Sequence, residues 1–147
     1  MTGKEYLCDV QDKEKEIIAQ KEYIEALRSV LESISVSTEG ERVQSSSDKD
    51  KFGKIFAQID EEERKLEVML KNFIVFKLDA ISAIKKVKTD KHRTLLHEKY
   101  INYKSFKEIA VLMNYSYDYI LELHGNALKE FESSMCPVES PISSVES

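Results

Sequence analysis

Apolar residues return at a seven-residue step along the first part of the chain, and few folds accept that period. Val10, Ile17, Ile24 and Leu31 hold one heptad position, and Tyr6, Leu27 and Ile34 hold the other. Such a stripe is a coiled-coil seam, the edge along which one helix is covered by another. Lys13 and Gln20 fall on the second position too, so the seam is polar in its first half. Thr2 with Glu5 reads as a capping box that opens the helix. Glu14, Glu16, Lys21, Glu22, Glu25 and Arg28 belong to its solvated faces. The Ser35–Thr38 run and Gly40 are expected to end it, about 50 Å from its start at ~1.5 Å per residue.

A loop rich in Ser, Gly and charge is expected over 35–50, and a second long helix from about Lys51 to Val87. Phe52, Ile55, Ile59, Leu66, Met69, Phe73 and Phe76 continue the heptad stripe. Beyond Leu70 the apolar residues widen to a second stripe at Ile74, Leu78, Ile81 and Ile84. A helix apolar on two faces needs cover on two sides. The first helix, folded back antiparallel, covers one side. The C-terminal helices or a second copy cover the other, so a homodimer is an open expectation.

Composition agrees with long solvated helices: of 147 residues 33% are charged, with four Gly and two Pro. The net charge of −5 argues against a protein coated for nonspecific nucleic-acid binding. Cys8 and Cys136 lack metal-ligand spacing and read as free thiols. No stretch has the apolar length of a membrane span and no signal peptide is visible, so a cytoplasmic protein is expected.

One segment speaks to function, Tyr100–Phe131. Ser105 and Glu108 form a capping box before Ile109, Ala110 and Met113. Asn114-Tyr115-Ser116 breaks the helix, since Asn tolerates a left-handed backbone. Ser116 is placed to cap a second helix. There Ile120, Leu123, Ala127 and Phe131 share one stripe. Ala110 and Ala127 are small, as closely crossing helices require. The pattern is that of a helix-turn-helix. Just before it, Lys85, Lys86, Lys88, Lys91 and Arg93 form a basic run, and Asp90 is placed to cap a short helix through Leu95, Leu96 and Tyr100. The run is either a solvated helix end or a set of phosphate contacts. After Phe131 the Ser- and Pro-containing tail over 133–147 is expected to be disordered.

Catalytic chemistry is not apparent. There is no Gly-rich phosphate loop or nucleophile motif, and no cofactor is implied. His92, His97 and His124 do not form a ligand set, and His124 sits beside the buried stripe of the last helix. Neither a metal site nor an enzyme is expected.

Glu108-Ile109-Ala110, Ser116, Ile120, Leu123, Ala127-Leu128 and Phe131 resemble region four of bacterial sigma factors, the module that reads the promoter −35 element. The string Gly40-Glu41-Arg42-Val43-Gln44-Ser45-Ser46, the opening Lys4-Glu5-Tyr6-Leu7, Tyr115-Ser116-Tyr117 and Leu123-His124-Gly125 add a second likeness. They resemble a family of small proteins from phages and prophages of Gram-positive bacteria, related in its C-terminal part to phage late-transcription regulators. The matched heptad stripes joined by one loop predict an all-α fold, with a coiled-coil antiparallel helical hairpin over 1–88, a sigma-like helix-turn-helix over 89–132 and then the tail. The resemblance implies a bacterial host cell and a regulator acting on DNA or RNA polymerase. Tyr117, Asp118, Leu121 and Glu122 would be the contacting face, with Lys104, Lys107 and Lys129 beside it. In sigma region four these base-facing positions carry Arg, Glu and Gln. Asp118 and Glu122 would instead be repelled by the DNA backbone. The alternative is an interaction module that binds another host protein through this acidic, Tyr-rich helix. A plain coiled-coil spacer is the third reading.

Overall fold

The structure is a computed structural model that describes residues 2–38 and 46–135, with side chains left undescribed over 35–38 and 46–49. It is all-α. Helix α1 is Gly3–Thr38, α2 is Ser46–Lys85, α3 is Asp90–Leu96, α4 is Phe106–Met113 and α5 is Tyr117–Met135, with a wider π turn over His97–Ile101 after α3. The Gly40–Ser45 part of the loop string, and the tail from Cys136 on, lie outside the described residues.

The long helices overrun their expected ends. α1 continues through Ser35–Thr38 and α2 already begins at Ser46, so the expected loop over 35–50 is helical at both its edges. Ser, Val and Thr lower helix propensity by only ~0.5 kcal/mol each, and an existing helix adds residues without a new nucleus. The expected tail likewise begins late, since 133–135 close the last turn of α5. α2 stops at Lys85, two residues before its expected end near Val87.

Residue contacts divide the chain into two compact units, 14–72 and a second made of 1–13 with 73–147. A boundary at 88/89 therefore falls inside one unit.

In the unit 14–72, Ile17, Ile24 and Ile59 are buried, as the heptads require. Their seam is interrupted by a polar layer. Gln20 Nε2 donates to the Glu62 carbonyl oxygen at 3.0 Å and to Glu62 Oε1 at 2.8 Å. Lys65 Nζ donates to Glu62 Oε2 at 3.2 Å. Gln20 and then Lys65 hold the Glu62 carboxyl below the usual carboxylate range. A half-satisfied buried carboxylate is costly, so this layer penalises any other register of the two helices. Tyr23 accepts a hydrogen bond from Gln58 Nε2 at 2.6 Å. Position rises along α1 as it falls along α2, from Gln20 with Glu62 to Tyr23 with Gln58.

The other unit holds one apolar core, built from the first turns of α1, the last turns of α2 and all the shorter helices. Leu7, Ile84, Leu95, Ile109, Ile120 and Phe131 are within 1% of complete burial. Tyr6 lies against both Phe76, at 5.2 Å between ring centroids, and Phe131, at 6.2 Å. The expected capping box forms at the start of α1, with Thr2 N–H donating to Glu5 Oε1 at 2.8 Å and Glu5 N–H to Thr2 Oγ1 at 3.1 Å. The second apolar stripe of α2 is half covered by the fold itself: Ile84 is buried and Ile81 partly so, while Ile74 and Leu78 stay exposed with Val75 beside them.

The capping role read for Asp90 needs correction. Thr89 is the N-cap of α3 and makes no side-chain cap bond; Asp90 is the first helical residue and pairs with Arg93. The turn's amides are satisfied by α5 instead: Glu130 Oε2 accepts from Lys88 N–H at 3.0 Å and Thr89 N–H at 3.2 Å. At the end of the π turn the Asn102 N–H reaches back to the His97 carbonyl at 3.1 Å. The wider turn leaves Tyr100 and Ile101, adjacent in sequence, both buried.

Two substitutions test this packing, with urea unfolding of the full chain as the measurement. Phe131→Ala removes a fully buried ring and should cost about 3–5 kcal/mol. At Gly3 a Cβ would stand 2.9 Å from Phe131 Cδ2 and 2.6 Å from Glu132 Cγ. Glu132 can move aside, but the buried ring cannot. Gly3→Ala should therefore destabilise by about 1–3 kcal/mol, outweighing the ~1 kcal/mol helix preference of Ala.

Candidate interaction surface on α4 and α5

The chemistry of α4 and α5 begins with their ends. Ser105 N–H donates to Glu108 Oε1 at 2.8 Å while Ser105 Oγ accepts from Glu108 N–H at 3.2 Å. These bonds hold the Glu108 carboxyl below its usual range. Asn114 ends α4 at φ 62°, in the left-handed region, and its N–H returns to Ala110 and Val111. Ser116 Oγ accepts from Tyr119 N–H at 3.1 Å and so caps α5. Each signal is local, and each appears where the sequence put it.

With the ends fixed, the inward faces follow. Ile109 and Ala110 on α4, with Ile120, Leu123, Ala127 and Phe131 on α5, are buried. What remains outward in the first two turns of α5 is Tyr117 at 44% exposure, Leu121 at 40%, and the exposed carboxylates Asp118 and Glu122. On α4, Val111 is 83% exposed and Leu112 52%. Lys107 and Lys129 are exposed as well.

The other basic residues differ in their surroundings. Lys85, Lys86 and Lys88 are exposed at the end of α2 and in the following turn. Arg93 is engaged internally: Nη1 donates to the Val87 carbonyl at 2.6 Å and Nη2 pairs with Asp90. Arg93 and Lys85 nevertheless line one cleft of about 280 Å³ with Ile84, Thr94, His97 and Glu98. Lys91 lies 5.2 Å from the ring centroid of Tyr115, which lies 4.8 Å from that of Tyr119. The hydrogen bond to Tyr115 raises the Lys91 pKa. Lys104 pairs with Glu98 at 3.0 Å. Asn102 first, and Lys104 after burial is offset, keep that carboxyl below the ordinary range.

Glu130 was not singled out by sequence reasoning. Besides the two turn amides, it meets His92 Nδ1 at 2.6 Å. His92 foremost, then Thr89 and Lys88, lower its pKa to about 2. Its partners lie far upstream in the chain, so no local pattern marks it.

His124 is half-buried beside the core, as its position suggested. Its Nε2 is 2.6 Å from Tyr100 Oη, and its ring meets Phe106 edge-on at 4.8 Å. Burial, with Lys4 and Lys99 nearby, lowers its pKa to about 4. Burial also raises the Tyr100 phenol, which stays protonated. A neutral imidazole and a neutral phenol thus share one hydrogen bond. Among the described residues no group of three or more His, Cys, Asp or Glu could hold a metal ion, and no helix is long and apolar enough to cross a membrane.

Comparison of the chain with models of protein families, with curated proteins and with solved structures finds no match.

His124 sets a pH dependence. Its folded pKa lies below the unfolded value, so its contribution is complete above about pH 6.5 and is lost as pH falls toward 4. Glu130 and the other lowered carboxylates weaken the fold only below about 4.5, a separate window. Stability should fall by ~1–2 kcal/mol between pH 6.5 and 5, read as a drop in Tm. In His124→Phe that slope should flatten; an unchanged slope would assign it elsewhere.

Proposed function

We propose that this chain is a phage-type transcription regulator. In this reading α4, Asn114–Ser116 and α5 are a sigma-region-four-like helix-turn-helix that acts on DNA or the transcription machinery. α1 and α2 form a long antiparallel helical hairpin. The observation that carries the proposal is the outward face of α5. Core packing accounts for Ile120, Leu123, Ala127 and Phe131, yet it asks nothing of Tyr117, Asp118, Leu121 and Glu122. In a helix-turn-helix the start of the second helix is the part presented to a target. Lys107 and Lys129, with Lys85, Lys86, Lys88 and Lys91, are exposed cations available to phosphates.

A second reading, an interaction module without sequence-specific DNA binding, draws support from the same face. Asp118 and Glu122 stand where cations would serve DNA. Arg93 and Lys104, both expected to help, each pair with a carboxylate of the same chain.

The test uses the full chain against purified bacterial RNA polymerase, with and without nuclease, and against duplex DNA over a range of salt. Regulation through DNA should appear as affinity falling steeply with salt. Regulation through the polymerase should appear as association that survives nuclease and is lost in Asp118→Lys with Glu122→Lys. Binding to neither would sink the proposal.

A further inference from the structure

We propose that the surface made by the last turn of α4 and the first two turns of α5 docks a cationic amphipathic helix of a partner protein, and not a nucleic acid. The inference rests on the reading above that α4 and α5 are the working surface, and it names what that surface receives. Val111 at 83% exposure and Leu112 at 52% stand outward on α4, and Tyr117 and Leu121 stand outward one turn apart on α5. Helix-forming residues of any polarity would satisfy these positions, so the fold does not select apolar ones. Aromatic and apolar side chains on a rigid helical pair supply anchor points of the kind an amphipathic helix fills.

Charge decides between occupants. The first two turns of α5 expose two carboxylates, Asp118 and Glu122, and no cation. Asp118 also suits the positive end of the helix, which explains its type in part. Glu122 lies a turn further in, where that explanation fades. Lys129 is beyond Glu122 by nearly two turns, and Lys107 stands in the first turn of α4 with Glu108 beside it. Lys91 is held at the rings of Tyr115 and Tyr119. A phosphate backbone approaching Tyr117 and Leu121 would meet the carboxylates first; a Lys- or Arg-bearing helix would be attracted by them.

The probes are a labelled peptide of roughly 18 residues with Leu at helical spacing and Lys elsewhere, the same peptide with Glu for Lys, and mixed-sequence duplex DNA. Each is titrated with the full chain by fluorescence anisotropy at about 0.1 M salt. The Lys peptide should bind at least ~10-fold tighter than the Glu peptide, and Asp118→Lys with Glu122→Lys should reverse that preference. Val111→Ser with Leu121→Ser should weaken the Lys peptide at least ~5-fold under the same conditions. All four positions are exposed, and circular dichroism checks that both variants fold. Equal binding of the two peptides, or a preference that survives charge reversal, overturns the docking proposal. DNA bound in preference to both peptides, and altered by the α5 changes, overturns it too but leaves α4 and α5 as the working surface. If no probe responds to either double variant, the underlying reading falls with it.

Discussion

Phe131 is the side chain on which the unit of 1–13 and 73–147 depends. It is completely buried near the end of α5, and the start of α1 is shaped around it. Tyr6 lies along its ring, and Gly3 leaves room for its edge. The Gly3 N–H also donates to Glu132 Oε2 at 2.8 Å. Three contacts thus join residues far apart in the chain, and the long loop closure they require is offset by burial of one large ring. The core from Leu7 through Ile84 to Ile120 is continuous with that ring.

Local chemistry was the legible part of this chain. The capping boxes of α1 and α4, the left-handed Asn114 and the Ser116 cap each use partners within a few residues, so their geometry is written in short strings. The apolar stripe of α5 was equally clear because burial there follows the helical period. The burial of Leu7 was not legible: the heptads place it off the seam, but the C-terminal helices cover this end of α1, and it is completely buried. Glu62 escaped because a carboxylate amid a charged helix resembles any solvated one until Gln20 comes opposite. Asp90 looked like a cap, yet a carboxylate from α5 satisfied the turn before it. In each miss the partner is remote in sequence, and no periodicity encodes it.

The candidate site divides the same way. The outward residues of α5 could be listed once the inward stripe was known, because a helix has only so many faces. Which cations remain available could not. Arg93 and Lys104 look like Lys85 or Lys107 in a sequence, but the turns around α3 bring a carboxylate or backbone carbonyl three to six residues away within their reach. The exposed residues of the last turn of α4 and the first two turns of α5 include Val111, Leu112, Tyr117, Asp118, Leu121 and Glu122, and no Lys or Arg.

The corner between α2 and α3 has a consequence for how this sequence can vary. Glu130 grips it through the backbone amides of Lys88 and Thr89, and α2 ends in backbone bonds from Lys86 to Ala83 and from Val87 to Ile84. Almost any residue supplies an amide. The fold is therefore indifferent to the side chains at 86 and 88, and mutation can explore those positions at little structural cost. Lysine there suits the carbonyl end of α2, a preference of only ~0.3–1 kcal/mol, so many other residues would hold the corner equally well.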